Sequence, residues 1–306
     1  MRKPLAAVLA LGAVLAASAC SSAAATSSPG SGGIAAVGAE NEYADVIGQV
    51  GGKYVSVSAI MSNPNTDPHT FEASASVARV VSAAQLVVQN GVGYDTFMNT
   101  IENAAPSSSR EVIVVQHLLG LPDATPNPHL WYRPGVMTAV ANAIAADLAA
   151  IAPAHASYFK ENAAAFARSL APWTEAIAAF KAKYGGTPVA TTEPVADYML
   201  QAAGADNLTP FAFQADIMNG TDPSAQDVAA ERSLFTQRKA KVLVYNQQVT
   251  DSLTESFITL ARANGIPVVG VYETMPVPGY DYQSWMLAEV QALEKAVASK
   301  TSTERL

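Results

Sequence analysis

Cysteine is nearly absent. The 306-residue chain has one, Cys20, so no disulfide can form within it and its stability must come from packing. Histidine is almost as scarce, at four. Lysine and arginine number 18 against 26 aspartates and glutamates, for a net charge of −8, and no basic cluster stands anywhere along the chain. That excludes nucleic acid as a natural partner, because phosphate binding rests on concentrated positive charge. The longest apolar run, Leu5 to Ala17, falls short of the roughly 20 residues that a membrane-spanning helix needs. Neither H-E-x-x-H nor G-x-S-x-G occurs, so the usual marks of zinc proteases and serine hydrolases are missing.

What the N-terminus does contain is the form of a secretory signal over residues 1–19: Arg2 and Lys3, the apolar run, then small residues. Ala17-Ser18-Ala19-Cys20 resembles a bacterial lipobox, with Ala17 where leucine is usual. Cys20 is the expected lipidation site, which would anchor the protein at the outer face of the cytoplasmic membrane; without the lipid it would be secreted. After Cys20, residues 21–33 are built from Ser, Ala, Thr, Gly and Pro without charge, so 20–33 read as a lipidated cysteine and a flexible tether.

Beyond the tether, half-hydrophobic composition over this length is enough for two lobes with cores of their own. β-Branched runs at Tyr54 to Ile60, Leu86 to Gln89, Glu111 to Val115, Pro188 to Thr192, Lys241 to Tyr245 and Pro267 to Tyr272 read as buried parallel strands. They alternate with alanine-rich helical stretches such as Ser74 to Gln85 and Leu253 to Asn264, the pattern of an α/β fold with mostly parallel sheets. Phe159, Ala163, Phe166, Leu170, Trp173, Ile177, Phe180 and Tyr184 step by four and three, which places them on one helical stripe. A helix from Ala154 to Tyr184 would be roughly 45 Å long at 1.5 Å per residue, enough to bridge both lobes, with a kink at Pro172 or a break into two helices there. The expected organisation is an N-terminal lobe over 34–152, an interlobe helix over 153–186 and a C-terminal lobe over 187–306.

Two of the four histidines share one local setting. "DPHTF" at Asp67 to Phe71 and "NPHLW" at Asn127 to Trp131 both read Asx-Pro-His-x-aromatic. Each follows a strand, and proline stiffens both the residue before it and itself, so His69 and His129 are presented as ligands at the carboxyl edge of a sheet. His117 and His155 have no such repeated context and read as structural. Two imidazoles leave a metal shell incomplete. Glu193 in "VATTEPVADY" and Glu273 in "VVGVYETMP" stand where C-terminal-lobe strands give way to loops. Two neutral imidazoles and two carboxylates sum to −2, which cancels a divalent cation. Trp131, Tyr132 and Tyr272 are candidate walls of that site or core residues, and Glu72 is either a partner of His69 or part of the next helix's first turn.

Taken in order, "DPHTFE", "NPHLWYRPG", "PAHASYFKENAAAFARSL", "GTDPSAQDVAA" and "GVYETMPVPGYDYQSWM" resemble the solute-binding lipoproteins of zinc and manganese ABC importers, the TroA-like, cluster A-I metal-binding family. The likeness covers essentially the whole chain. It implies two α/β lobes bridged by one long rigid helix, with one divalent ion, Zn2+ or Mn2+, held between them by two ligands from each lobe. His69 and His129 match the first two positions, and Glu193 matches a third that is histidine or glutamate in the family. The fourth is usually aspartate, and Glu273 stands in its place, with Asp281 and Asp251 as fallbacks. The His-rich acidic loop of many zinc members is missing here.

The expected function is an extracytoplasmic receptor, a monomer rather than an enzyme, that passes its metal to a membrane permease. The alternative is a secreted metal-dependent hydrolase with His69, His129 and Glu193 as ligands and Glu273 as base.

Overall fold

The computed structural model describes residues 33–65, 67–276 and 278–306. The signal segment, Cys20 and the tether through residue 32 lie outside the described residues. Among the described residues, eight strands form two four-stranded, wholly parallel sheets. The first contains β1 (Ile34–Glu40), β2 (Val55–Met61), β3 (Leu86–Gln89) and β4 (Glu111–Val114), ordered β2-β1-β3-β4. The second contains β5 (Pro188–Thr191), β6 (Asp206–Asn207), β7 (Val242–Asn246) and β8 (Val268–Val271), ordered β6-β5-β7-β8. The two sheets thus repeat one winding. In each, the order reverses between the first and third strands, and that crevice at the carboxyl edge is where α/β sheets hold ligands.

Six of these strands are the β-branched runs expected from the sequence. Two are additional. β1 is "IAAVGAE", rich in alanine and glycine, yet it is the central strand of its sheet and nearly all of it is buried. Its small side chains let the helix Asn41–Gly51 turn straight back over it: a Cβ on Gly38 would lie 2.3 Å from the amide nitrogen of Ala44. β6 is two polar residues whose pairing with Pro188 and Val189 is set by tertiary contact.

Helices cover both faces of both sheets. One apolar cluster (Val37, Ala39, Val81, Val87, Met98 and Ile101 among its members) lies under the first sheet, and another (Phe213, Phe235, Leu243, Phe257) under the second. The largest cluster is continuous from one sheet to the other, joining Tyr43, Leu86 and Trp131 to Val242, Tyr282 and Trp285.

Running through that cluster is the bridging segment, as two consecutive helices, Ala156–Ser169 and Ala171–Tyr184, with Leu170 alone between them. Pro172 falls in the first turn of the second helix, where its missing N–H costs no bond, while the amide of Thr174 still donates to the carbonyl of Leu170 at 3.1 Å. The stripe stays in phase across the joint, and every member from Phe159 to Phe180 is buried. The first helix packs on Asn41–Gly51 and Val136–Ile151, the second on Asp197–Ala202 and Tyr282–Ser299. The long bridge foreseen from the stripe is therefore present in jointed form, preceded by a short 3-10 turn at Pro153–His155.

The C-terminal residues close the free edge of the second sheet. Thr303 bridges Val269 in parallel, donating to the carbonyl of Val268 (2.9 Å) and accepting from the amide of Gly270 (2.8 Å). Gly270 permits this approach, because a Cβ there would sit 2.0 Å from the carbonyl oxygen of Glu304.

Candidate metal centre

The twin pentapeptides fold alike. Asp67 accepts the His69 amide on its side chain at 2.8 Å, and Asn127 accepts the His129 amide at 3.0 Å. In both loops the Asx side chain closes a turn around proline, which explains why Asx-Pro-His recurs: the acceptor and the ring fix where the imidazole points.

They point at one atom. Nε2 of His69 and Nε2 of His129 each lie 3.2 Å from Oε2 of Glu273, and the three donor atoms all fall within 4.8 Å of one another. Two ligands on a tetrahedral ion with bonds of roughly 2.0 Å are about 3.3 Å apart, so the spacing suits a shared cation. Glu273 and His129 are fully buried, and the His69 side chain is 20% exposed.

The hydrogen bonds behind these rings set their chemistry. Asn127 donates its Nδ2 to the carbonyl of Pro194 (2.7 Å), which leaves Oδ1 as acceptor for both the amide and the Nδ1 of His129 (2.8 Å). Nδ1 of His129 therefore carries its proton, and Nε2 faces Glu273 with a lone pair when the ring is neutral. Burial pushes the His129 pKa below its ordinary value. At His69 burial acts downward too, but Glu273 and Asp67 prevail and the pKa is raised. Nε2 of His69, though 3.2 Å from Oε2, is outside hydrogen-bond geometry and has no partner. For Glu273 burial works to raise the pKa, yet the two imidazoles win and hold it well below the carboxylate range. The hydroxyl of Tyr94 also donates to Oε2, at 2.9 Å.

Glu193 follows β5 and is 3% exposed. It stands outside the group that meets within 4.8 Å and reaches it through Asn246, whose Nδ2 donates to Oε1 of Glu193 (3.1 Å) and Oε1 of Glu273 (2.7 Å). Oε2 of Glu193 is buried with no hydrogen-bond partner. Burial and then the charge of Glu273 raise the Glu193 pKa well above normal.

Other residues singled out in the sequence go elsewhere. Asp251 and Asp281 are helix N-caps, each closing a capping box with Thr254 and Ser284, so their carboxylates are occupied and neither is a fallback ligand. Glu72 is exposed, and Asp67 supports His69 instead. His155 stacks on Tyr54 with ring centroids 3.8 Å apart, and His117 is exposed on the helix Val115–Leu118. Trp131 packs edge-on against His129 at 5.4 Å and against Tyr94 at 5.1 Å, forming an apolar wall. Tyr132 donates to the carbonyl of Tyr272 at 2.8 Å. Glu273 lies among the would-be ligands, so it is not left free as the base of a hydrolase.

Tyr94 and Asn246 were not singled out from sequence. Nor were Glu40 at the end of β1 and Glu42 in the first turn of the helix Asn41–Gly51, both fully buried with carboxylates that lack hydrogen-bond partners; burial raises their pKa well above normal.

Two similarly wound parallel sheets, a jointed bridging helix and a buried cluster of nitrogen and oxygen donors at the carboxyl edges define a two-lobed α/β ligand-binding protein. The chain belongs to the family described as zinc-uptake complex component A, periplasmic, whose model matches residues 37–296. It is 21% identical over 238 residues to the manganese-binding lipoprotein MntA of Bacillus subtilis (strain 168), covering 74% of each chain. It is 24% identical over 280 residues to the metal ABC transporter substrate-binding lipoprotein FimA of Streptococcus parasanguinis, covering 87% of this chain and 88% of that one. Among solved structures, the periplasmic zinc-binding protein TroA from Treponema pallidum shares the fold with a TM-score of 0.74 at 18% identity, over 88% of this chain and all of that one.

Proposed function

We propose that this chain is an extracytoplasmic receptor that binds one divalent transition metal, Zn2+ or Mn2+, and delivers it to the permease of an ABC importer. The observation that carries the reading is the convergence of Nε2 of His69, Nε2 of His129 and Oε2 of Glu273 within 4.8 Å, in a pocket where the only described groups within ion-pair distance of Glu273 are those two rings. Two ring nitrogens and a carboxylate oxygen converging in a buried site are satisfied by a cation held between them. Glu193, with its unpartnered Oε2, is the fourth ligand in this reading. The ion is cargo, and the protein performs no catalysis on it.

Membership of a zinc-uptake family and likeness to two metal-binding lipoproteins support the transport role. In the same reading Cys20 carries the lipid anchor, residues 34–152 and 187–306 are the lobes, residues 153–186 bridge them, and the receptor works as a monomer. The test is metal analysis of protein purified from unsupplemented medium. The wild type is expected to hold close to one equivalent of metal, and His69→Ala and His129→Ala to lose it while keeping the wild-type circular dichroism spectrum. Metal content unchanged in both variants would refute the assignment.

A further inference from the structure

Asn246 ends β7 and is 1% exposed. The orientation of its amide is fixed, because Oδ1 accepts the backbone N–H of Gln248 at 3.0 Å, so the NH2 end faces the two glutamates. Its two protons go to Oε1 of Glu273 at 2.7 Å and Oε1 of Glu193 at 3.1 Å. One oxygen of each carboxylate is thereby occupied. The other oxygens are Oε2 of Glu273, which accepts from the Tyr94 hydroxyl at 2.9 Å and lies 3.2 Å from both imidazole nitrogens, and Oε2 of Glu193, buried without a partner.

A carboxylate held in this way presents Oε2 to a metal first. Oε1 keeps a second lone pair, but turning the group to chelate with both oxygens strains the Asn246 bond, and losing that bond strands a buried N–H at a cost of about 1–3 kcal/mol. Two imidazole nitrogens and two single oxygens make a four-donor set. Zinc accepts such a tetrahedral shell, whereas manganese(II) favours an oxygen-rich octahedron, which here would draw on the second oxygens. Water to complete an octahedron would have to come past His69, since His129, Glu193 and Glu273 are all buried.

We infer that Asn246 is a positioning residue that sets metal choice: by occupying Oε1 of both glutamates it holds the site to four single-atom donors and favours zinc over manganese(II). The inference rests on the receptor reading above and narrows its cargo. The carboxamide of Asn246 acts through the ligands and touches no ion itself.

The test uses cobalt(II) as a spectroscopic stand-in, together with zinc and manganese competition against a chromophoric chelator, on the wild type, Asn246→Ala and Asn246→Ser. The wild type is expected to show the intense visible bands of four-coordinate cobalt. In Asn246→Ala the bands weaken toward those of a six-coordinate ion and the zinc-to-manganese affinity ratio falls about tenfold or more, as is typical when an outer partner of a metal ligand is removed. Asn246→Ser, which keeps one donor, falls between. A weak six-coordinate spectrum in the wild type overturns the inference, and this holds even if neither variant folds. So does a folded Asn246→Ala with unchanged spectrum and ratio. Binding that is lost in His129→Ala but insensitive to Asn246 sinks this inference alone; a wild type that takes up none of the three ions sinks the receptor reading itself.

Discussion

Asn127 commits every polar atom of its side chain to the site, with Nδ2 on the carbonyl of Pro194 and Oδ1 on two nitrogens of His129. It ties the loop of one histidine to the loop that follows Glu193. Asn127→Ala is expected to weaken metal binding about 10- to 100-fold while the protein stays folded, as measured by chelator competition; an affinity within twofold of wild type would contradict the role given to it. Proton competition is a second consequence at this scale. Because the His69 pKa is raised above its ordinary 6.5, protons contest Nε2 at higher pH than for a free imidazole, and metal affinity should be clearly lower at about pH 5.5 than at about pH 7.5. Equal affinities by calorimetric titration would rule His69 out as a ligand. His69 and His129 could be found in the sequence because their motif is local. Asn246 could not, since it acts on residues 27 and 53 positions away and nothing next to it marks the contact.

At the level of elements, legibility followed side-chain shape. β2, β3, β4, β5, β7 and β8 are valine-rich or otherwise apolar runs, and β-branched residues favour the pleated backbone on their own account. β1 gave no such sign because its small residues are chosen for close packing under the next helix. Its last residue and the first turn of that helix bring in Glu40 and Glu42, buried acids that composition alone would assign to the surface. The stripe from Phe159 to Tyr184 was plain, and Pro172 left open whether one helix or two carried it. Since Pro172 sits in the first turn of Ala171–Tyr184, Pro172→Ala restores no broken hydrogen bond. Its effect on unfolding free energy should stay within about 1 kcal/mol, against the roughly 3 kcal/mol gain expected from relieving an interior proline. Urea denaturation distinguishes the two, and a gain near the larger figure would mean an uninterrupted helix.

Across the whole molecule the two sheets share one apolar core, and a titrating group is buried in it. Glu289 accepts from Nε1 of Trp285 (3.0 Å), and its Oε1 lies 3.2 Å from the hydroxyl oxygen of Tyr132, which donates to the carbonyl of Tyr272, linking the last helix to the loop that carries His129. Burial raises its pKa to about 8. The folded state thus holds this proton more tightly than the unfolded chain, so its contribution is full below about pH 4.5 and declines as pH rises toward 8, by up to about 1.4 kcal/mol per pH unit. Glu289→Gln keeps the acceptor and removes the titration. The fall in wild-type denaturation midpoint between about pH 5 and about pH 8 should shrink in the variant, and parallel curves would exclude the link. The unbroken core also bears on how cargo is exchanged. Two sheets joined through one apolar cluster are expected to resist wide separation, and three of the four candidate donors are buried while the His69 side chain is 20% exposed. In the receptor reading, the ion is expected to enter and leave past the short turn at Pro68–Thr70 that carries His69.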